Sequence, residues 1–186
     1  MTEQVWWYVA RASGIVASAL VAAAVIWGLL LSTRVLRDRP RPAWLLDLHR
    51  MLGGLAVAFV VVHVASLAAD SYVEFGPVDV LVPFVSDWRP GPVAFGVLAT
   101  YLLMAAEVSS LMMRRLPRRW WHRVHLSSYV CFWAVTMHGA TAGTDVANPL
   151  FRWGSITAIA VVVVLSVYRV AVERRSRRKR PVPAAA

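Results

Sequence analysis

The chain has 186 residues, of which 59% are hydrophobic and only 16% charged, and its mean hydropathy is +0.57. A soluble domain carries about 45–50% apolar and about 25% charged residues, so this composition excludes a soluble globular protein and a disordered one. A lone cysteine, Cys131, excludes an intrachain disulfide framework and a cysteine-ligated zinc or iron–sulfur centre. The net charge of +10 comes from 20 basic residues, 19 of them arginine, and its meaning depends on where they lie.

A helix that crosses a bilayer needs about 20 mostly apolar residues. Five stretches qualify. The first, Ala12–Thr33, holds no charge and is too long for a signal peptide. The second, Met51–Ala69, contains one histidine. The third runs from Pro92 towards Met113 around Glu107. The fourth runs from Val124 to about Thr144 with two histidines. The fifth covers Ile156–Tyr168 and reaches membrane length if it starts near Leu150. No internal repeat and no hydrophilic domain is evident. The expectation is an all-α integral membrane protein, a five-helix transmembrane bundle. Residues 1–11 form its N-terminus, 12–172 the membrane domain and 173–186 a basic tail.

Loop charges orient the bundle. Arg34, Arg37, Arg39, Arg41 and Arg50 follow span one. Arg114, Arg115, Arg118, Arg119 and Arg123 follow span three. Arg169, Arg174, Arg175, Arg177, Arg178, Lys179 and Arg180 end the chain. Only Arg11, Arg89 and Arg152 fall on the other side, where Glu3, Asp70, Glu74, Asp79, Asp87 and Asp145 gather. The N-terminus is therefore expected outside and the C-terminus in the cytoplasm, in a multi-pass protein of the cell membrane. The charge reads as a positive-inside signature in contact with membrane lipids, and no nucleic-acid partner is expected.

Tryptophans mark the interfaces. Trp6 and Trp7 precede span one, Trp44 opens span two, Trp120 and Trp121 open span four, and Trp153 opens span five. Between Pro77 and Pro90 the outer loop is apolar at Val80, Leu81, Val82, Phe84 and Val85. Such a loop either forms a short element over the bundle or packs as ordinary coil.

Four of the five histidines fall on two spans that run in the same direction, His49 and His63 on the second, His125 and His138 on the fourth. Ionisable groups within a membrane are costly and point to function, although any one histidine could make an interhelical hydrogen bond. His49 and His125 sit beside Arg50 and Arg123 at the inner edge. His63 and His138 each lie seven residues before an outer aspartate, Asp70 and Asp145. The separations, 14 and 13 residues, are about 21 and 19.5 Å of helix. Two histidine pairs at matched depth suit bis-imidazole ligation of two stacked haems.

Helical rotation fits unevenly. His63 falls about 40° from the face of His49, whereas His138 falls about 140° from that of His125. Small residues between the first two, Gly53 and Ala56, leave room for a flat macrocycle or serve close helix packing. His122, Arg123 and Arg11 are accessory candidates, including as partners of haem propionates. Glu107 is expected in an ion pair or a proton relay.

His-x13-His on one span and His-x12-His two spans later resembles the ferric reductase-like transmembrane domain. That superfamily includes NADPH oxidases, ferric reductases and the haem subunit of the periplasmic methionine-sulfoxide reductase system. The resemblance covers Arg34 to Tyr168. It implies two b-type haems, the inner held by His49 and His125, the outer by His63 and His138. It also implies transmembrane electron transfer by an oxidoreductase subunit. The family core usually has six helices, with the histidines on the third and fifth. Here they fall on the second and fourth, as if the first helix were absent, which agrees with an outside N-terminus. Oxidases and ferric reductases continue into a flavin and nicotinamide domain. This chain carries no G-x-G-x-x-G unit, so a separate donor, a cytoplasmic flavoprotein or a quinol, and an extracytoplasmic acceptor are expected. The rival readings are a haem-free membrane scaffold and a small proton-coupled transporter that uses the intramembrane histidines and Glu107.

Overall fold

The computed structural model describes residues 2–33, 43–70 and 75–178, which form seven helices and, among the described residues, no strand. They are α1 (Thr2–Ser32), α2 (Ala43–Ala69), α3 (Pro77–Leu81), α4 (Pro90–Leu111), α5 (Arg118–Leu126), α6 (Ser128–Thr141) and α7 (Pro149–Arg178). The arginines expected between the first two spans at 34–41, and the end of the basic tail from Lys179, lie outside the described residues.

Among the described residues four helices are long and apolar enough to cross a membrane, α1, α2, α4 and α7. Each begins at or before the start expected from hydropathy. α1 takes in Trp6, Trp7, Tyr8 and Arg11, because the Arg11 charge is met by Asp145. α2 begins at Ala43, so His49 lies well inside it. α7 starts at Pro149, where a proline at the first helical position costs no hydrogen bond. Within these helices the hydroxyls of Ser13, Ser18 and Ser66 bond back to carbonyls of the preceding turn, as expected where water is absent.

The fourth expected span is not one regular helix. α5 and α6 meet at Ser127, whose N–H and Oγ both donate to the Val124 carbonyl, at 3.0 and 2.6 Å. This tight i to i−3 turn winds by about 120° per residue instead of about 100°. The added rotation acts between His125 and His138, in the sense that reduces their mismatch on an ideal helix.

α1 packs chiefly on α2, and α4 on α5 and α6. α1 also touches α6 and α7, and α2 touches α4. The core joins Val21, Val25 and Leu29 of α1 to Ala56 of α2, Ala99 and Leu103 of α4, Cys131 and Phe132 of α6, and Val162 of α7. Its members Ala56 and Cys131 lie about midway between the two histidines of their spans. The periphery is apolar too: Leu111 and Leu150 are 85% exposed and Val164 65%. A surface of that kind is stable against lipid, not water. In the outer loop, α3 is tied to α4 by the Tyr101 hydroxyl, which donates to the Leu81 carbonyl.

Candidate functional site

The two spans that carry histidines bring their rings together in pairs of equal depth. His49 and His125 have ring centroids 5.9 Å apart with planes at 78°. His63 and His138 are 6.3 Å apart at 79°. His122 is exposed and lies beside Trp121, away from any third candidate ligand. Among the described residues no group of three or more His, Cys, Asp or Glu side chains forms a metal cluster.

The neighbouring helices support these rings in a repeated way that sequence reading misses. On α1, Gly14 faces His63 and Gly28 faces His49. A Cβ at Gly14 would come within 2.9 Å of the His63 ring, and one at Gly28 within 3.2 Å of His49. On α4, a Cβ at Gly96 would come within 2.8 Å of His138. The position 14 residues after Gly96 is Ser110, and its Oγ lies 3.3 Å from Nδ1 of His125. Helices α1 and α4 therefore each carry two small residues 14 apart, opposite two histidines of the antiparallel partner. The two hairpins, α1–α2 and α4–α5/α6, place their site residues alike, as an internal repeat does. The signal lay in the spacing, since Gly14 and Gly28 are separated by the same 14 residues as His49 and His63.

The two outer rings turn Nδ1 to the same backbone position. Nδ1 of His63 donates to the carbonyl of Ala10, 2.7 Å away, and Nδ1 of His138 to that of Pro92, 2.8 Å away. Ala10 and Pro92 lie four residues before Gly14 and Gly96. At His49 the buried Nδ1 has no hydrogen-bond partner among the described residues. A carbonyl only accepts, so Nδ1 of His63 and of His138 carries the proton. Nε2 is then left with a free lone pair, the tautomer a metal needs.

These residues fit a haem iron. Metal–imidazole bonds of about 2 Å on either side of an ion set the ring centres about 6 Å apart, as both pairs are. The outer pair opens into a cavity of about 300 Å³ whose lining is mostly apolar. Small residues, Ala10, Gly14, Ala17 and Gly96 among them, line it, and the room beside the two glycines is taken by the His63 and His138 rings. Phe75, Trp88, Asp70 and the Arg11–Asp145 pair lie round the same cavity.

Arg11 makes a two-point ion pair with Asp145 and lies 5.0 Å from the Trp7 ring centre. Arg123 is exposed and stacks over Trp120 at 5.5 Å. Glu107 has no ion pair among the described residues. Its carboxylate packs against Gly53, so this glycine makes room for a side chain of α4 and not for a macrocycle. At the inner pair, Trp121 stacks on His125 at 5.2 Å and 15°, and its buried Nε1 lacks a hydrogen-bond partner among the described residues.

No curated protein and no solved structure shows significant similarity to the chain. The family model of the ferric reductase like transmembrane component matches residues 13–136. The match contains His49, His63 and His125 and ends two residues before His138. With its long apolar helices, the chain is thus a multi-pass membrane protein that belongs to the ferric reductase-like transmembrane family.

Proposed function

We propose that this chain conducts electrons across a membrane between two b-type haem sites, His49 with His125 on the inner side and His63 with His138 on the outer. The observation that carries this reading is the pair of imidazole couples, 5.9 and 6.3 Å between centroids, held by matching small-residue slots. Membership in the family supports membrane electron transfer as the activity. Bound at these sites, haem supplies one-electron redox centres at two depths.

The protein's own residues do the rest. Ala10 and Pro92 fix the tautomer and orientation of the outer ligands. The core layer of Val21, Ala56, Leu103 and Phe132 keeps water and ions out of the space between the pairs. The charge distribution supports an N-terminus outside and arginine-rich helix ends inside. In this arrangement α5 and α6 together form the fifth span. Electrons enter at the His49 side from a flavoprotein or quinol and leave at the His63 side to an extracytoplasmic acceptor.

A reduced-minus-oxidised absorption spectrum of the purified protein, with haem quantified per chain, tests this reading. Close to two b-type haems per chain is the expected result. A folded sample made with haem available that contains none would refute it.

A further inference from the structure

Three of the four histidine slots are built on a glycine and the fourth on Ser110. The exception coincides with the shorter spacing, because His125 and His138 are 13 residues apart where His49 and His63 are 14. At the two outer sites a backbone carbonyl accepts directly from Nδ1. At His125 the equivalent carbonyl is that of Ala106, four residues before Ser110. The Ser110 hydroxyl donates to it at 2.8 Å. That hydroxyl has spent its only proton, so towards His125 it can only accept. The bond at 3.3 Å is therefore His125 Nδ1–H donating to Ser110 Oγ. The serine supplies the extra atom that lets a displaced ring reach the same carbonyl.

We infer that Ser110 is a positioning residue, which relays the Ala106 carbonyl to His125, fixes its tautomer and lowers the reduction potential of the inner haem. The inference rests on the haem reading above. Its physical basis is that a hydrogen bond from the outer N–H of a ligand imidazole raises the basicity of the ligating nitrogen. A more basic ligand stabilises the oxidised metal. Trp121 stacks on a face of the ring, so removing the hydroxyl removes the bond at its edge without freeing the ring.

The experiment is a spectroelectrochemical titration of the full chain and of Ser110→Ala and Ser110→Thr. Alanine is a good helix former and threonine can keep the bond back to the i−4 carbonyl. The expected result is two haems in all three proteins. One potential shifts upward in Ser110→Ala and returns towards the original in Ser110→Thr, while the other stays unmoved. Two retained haems with neither potential shifted in Ser110→Ala would overturn the relay. Equal shifts in both variants would also overturn it, since packing alone would then account for the effect. Absence of haem from the unmodified chain would instead remove the reading beneath it.

Discussion

Gly96 lies against the imidazole of His138, so close that a Cβ there would come within 2.8 Å of Cε1 and 2.9 Å of Nδ1. The ring has little freedom to move away, because Nδ1 is bound to the Pro92 carbonyl of the same helix. Gly96→Ala is therefore expected to displace His138, to cost about 1–3 kcal/mol as overpacking does, and to empty the outer site with the inner retained. Gly14→Ala should act alike on His63. Gly28→Ala, where the approach to His49 is 3.2 Å, should be milder, and Gly54→Ala, with nothing within 4 Å, silent. Haem per chain and Tm, measured across the four variants, check the order. An equal effect at Gly54 and Gly96 would contradict it.

Gly53 presents the opposite case. The side chain it accommodates is the flexible end of Glu107, which can rotate away. Gly53→Ala should therefore cost less than Gly96→Ala, although the approach is the closer of the two. If the carboxylate is what obstructs, Glu107→Ala combined with Gly53→Ala should restore most of any lost stability. Thermal unfolding of the two single variants and the double variant measures this. Additive losses would show that Gly53 serves something other than room for Glu107.

The four histidines were legible because ionisable side chains in lipid stand out against their surroundings, and because two spans carried them at similar spacing. The slots behind them were not. A glycine in an apolar helix reads first as a packing residue, and Gly14 and Gly28 lie on a different span from the rings they support. Ser110 likewise lies on a different span from His125, the ring it meets. The rotational misfit of His125 and His138 was visible in the sequence, but its relief at Ser127 required the backbone. The start of α1 was misplaced at Arg11, whose charge is met by Asp145, distant in sequence.

Cys131 gives an independent test of the layer between the two pairs. Its side chain is 2% exposed, and Sγ lies 3.4 Å from the Ala99 carbonyl. A thiol so enclosed reacts only when the packing opens. The native protein in detergent should resist a maleimide, and labelling should become complete on denaturation. Rapid labelling of folded protein would mean that α6 does not pack against α4 as described.

The ion pair of Arg11 with Asp145 links α1 to the turn before α7 beside the outer cavity. Asp145 is 6% exposed, whereas the Arg11 side chain is 36% exposed. Loss of the arginine leaves a buried carboxylate without its partner, whereas loss of the aspartate leaves a cation that can reach solvent. Breaking a buried pair from one side is more damaging than replacing both members with apolar groups. Arg11→Met should therefore lower Tm more than Asp145→Leu, and the double variant should be more stable than Arg11→Met alone. A double-mutant cycle in Tm measures the coupling. Strictly additive shifts would mean that the contact contributes nothing to holding the outer end of the bundle together.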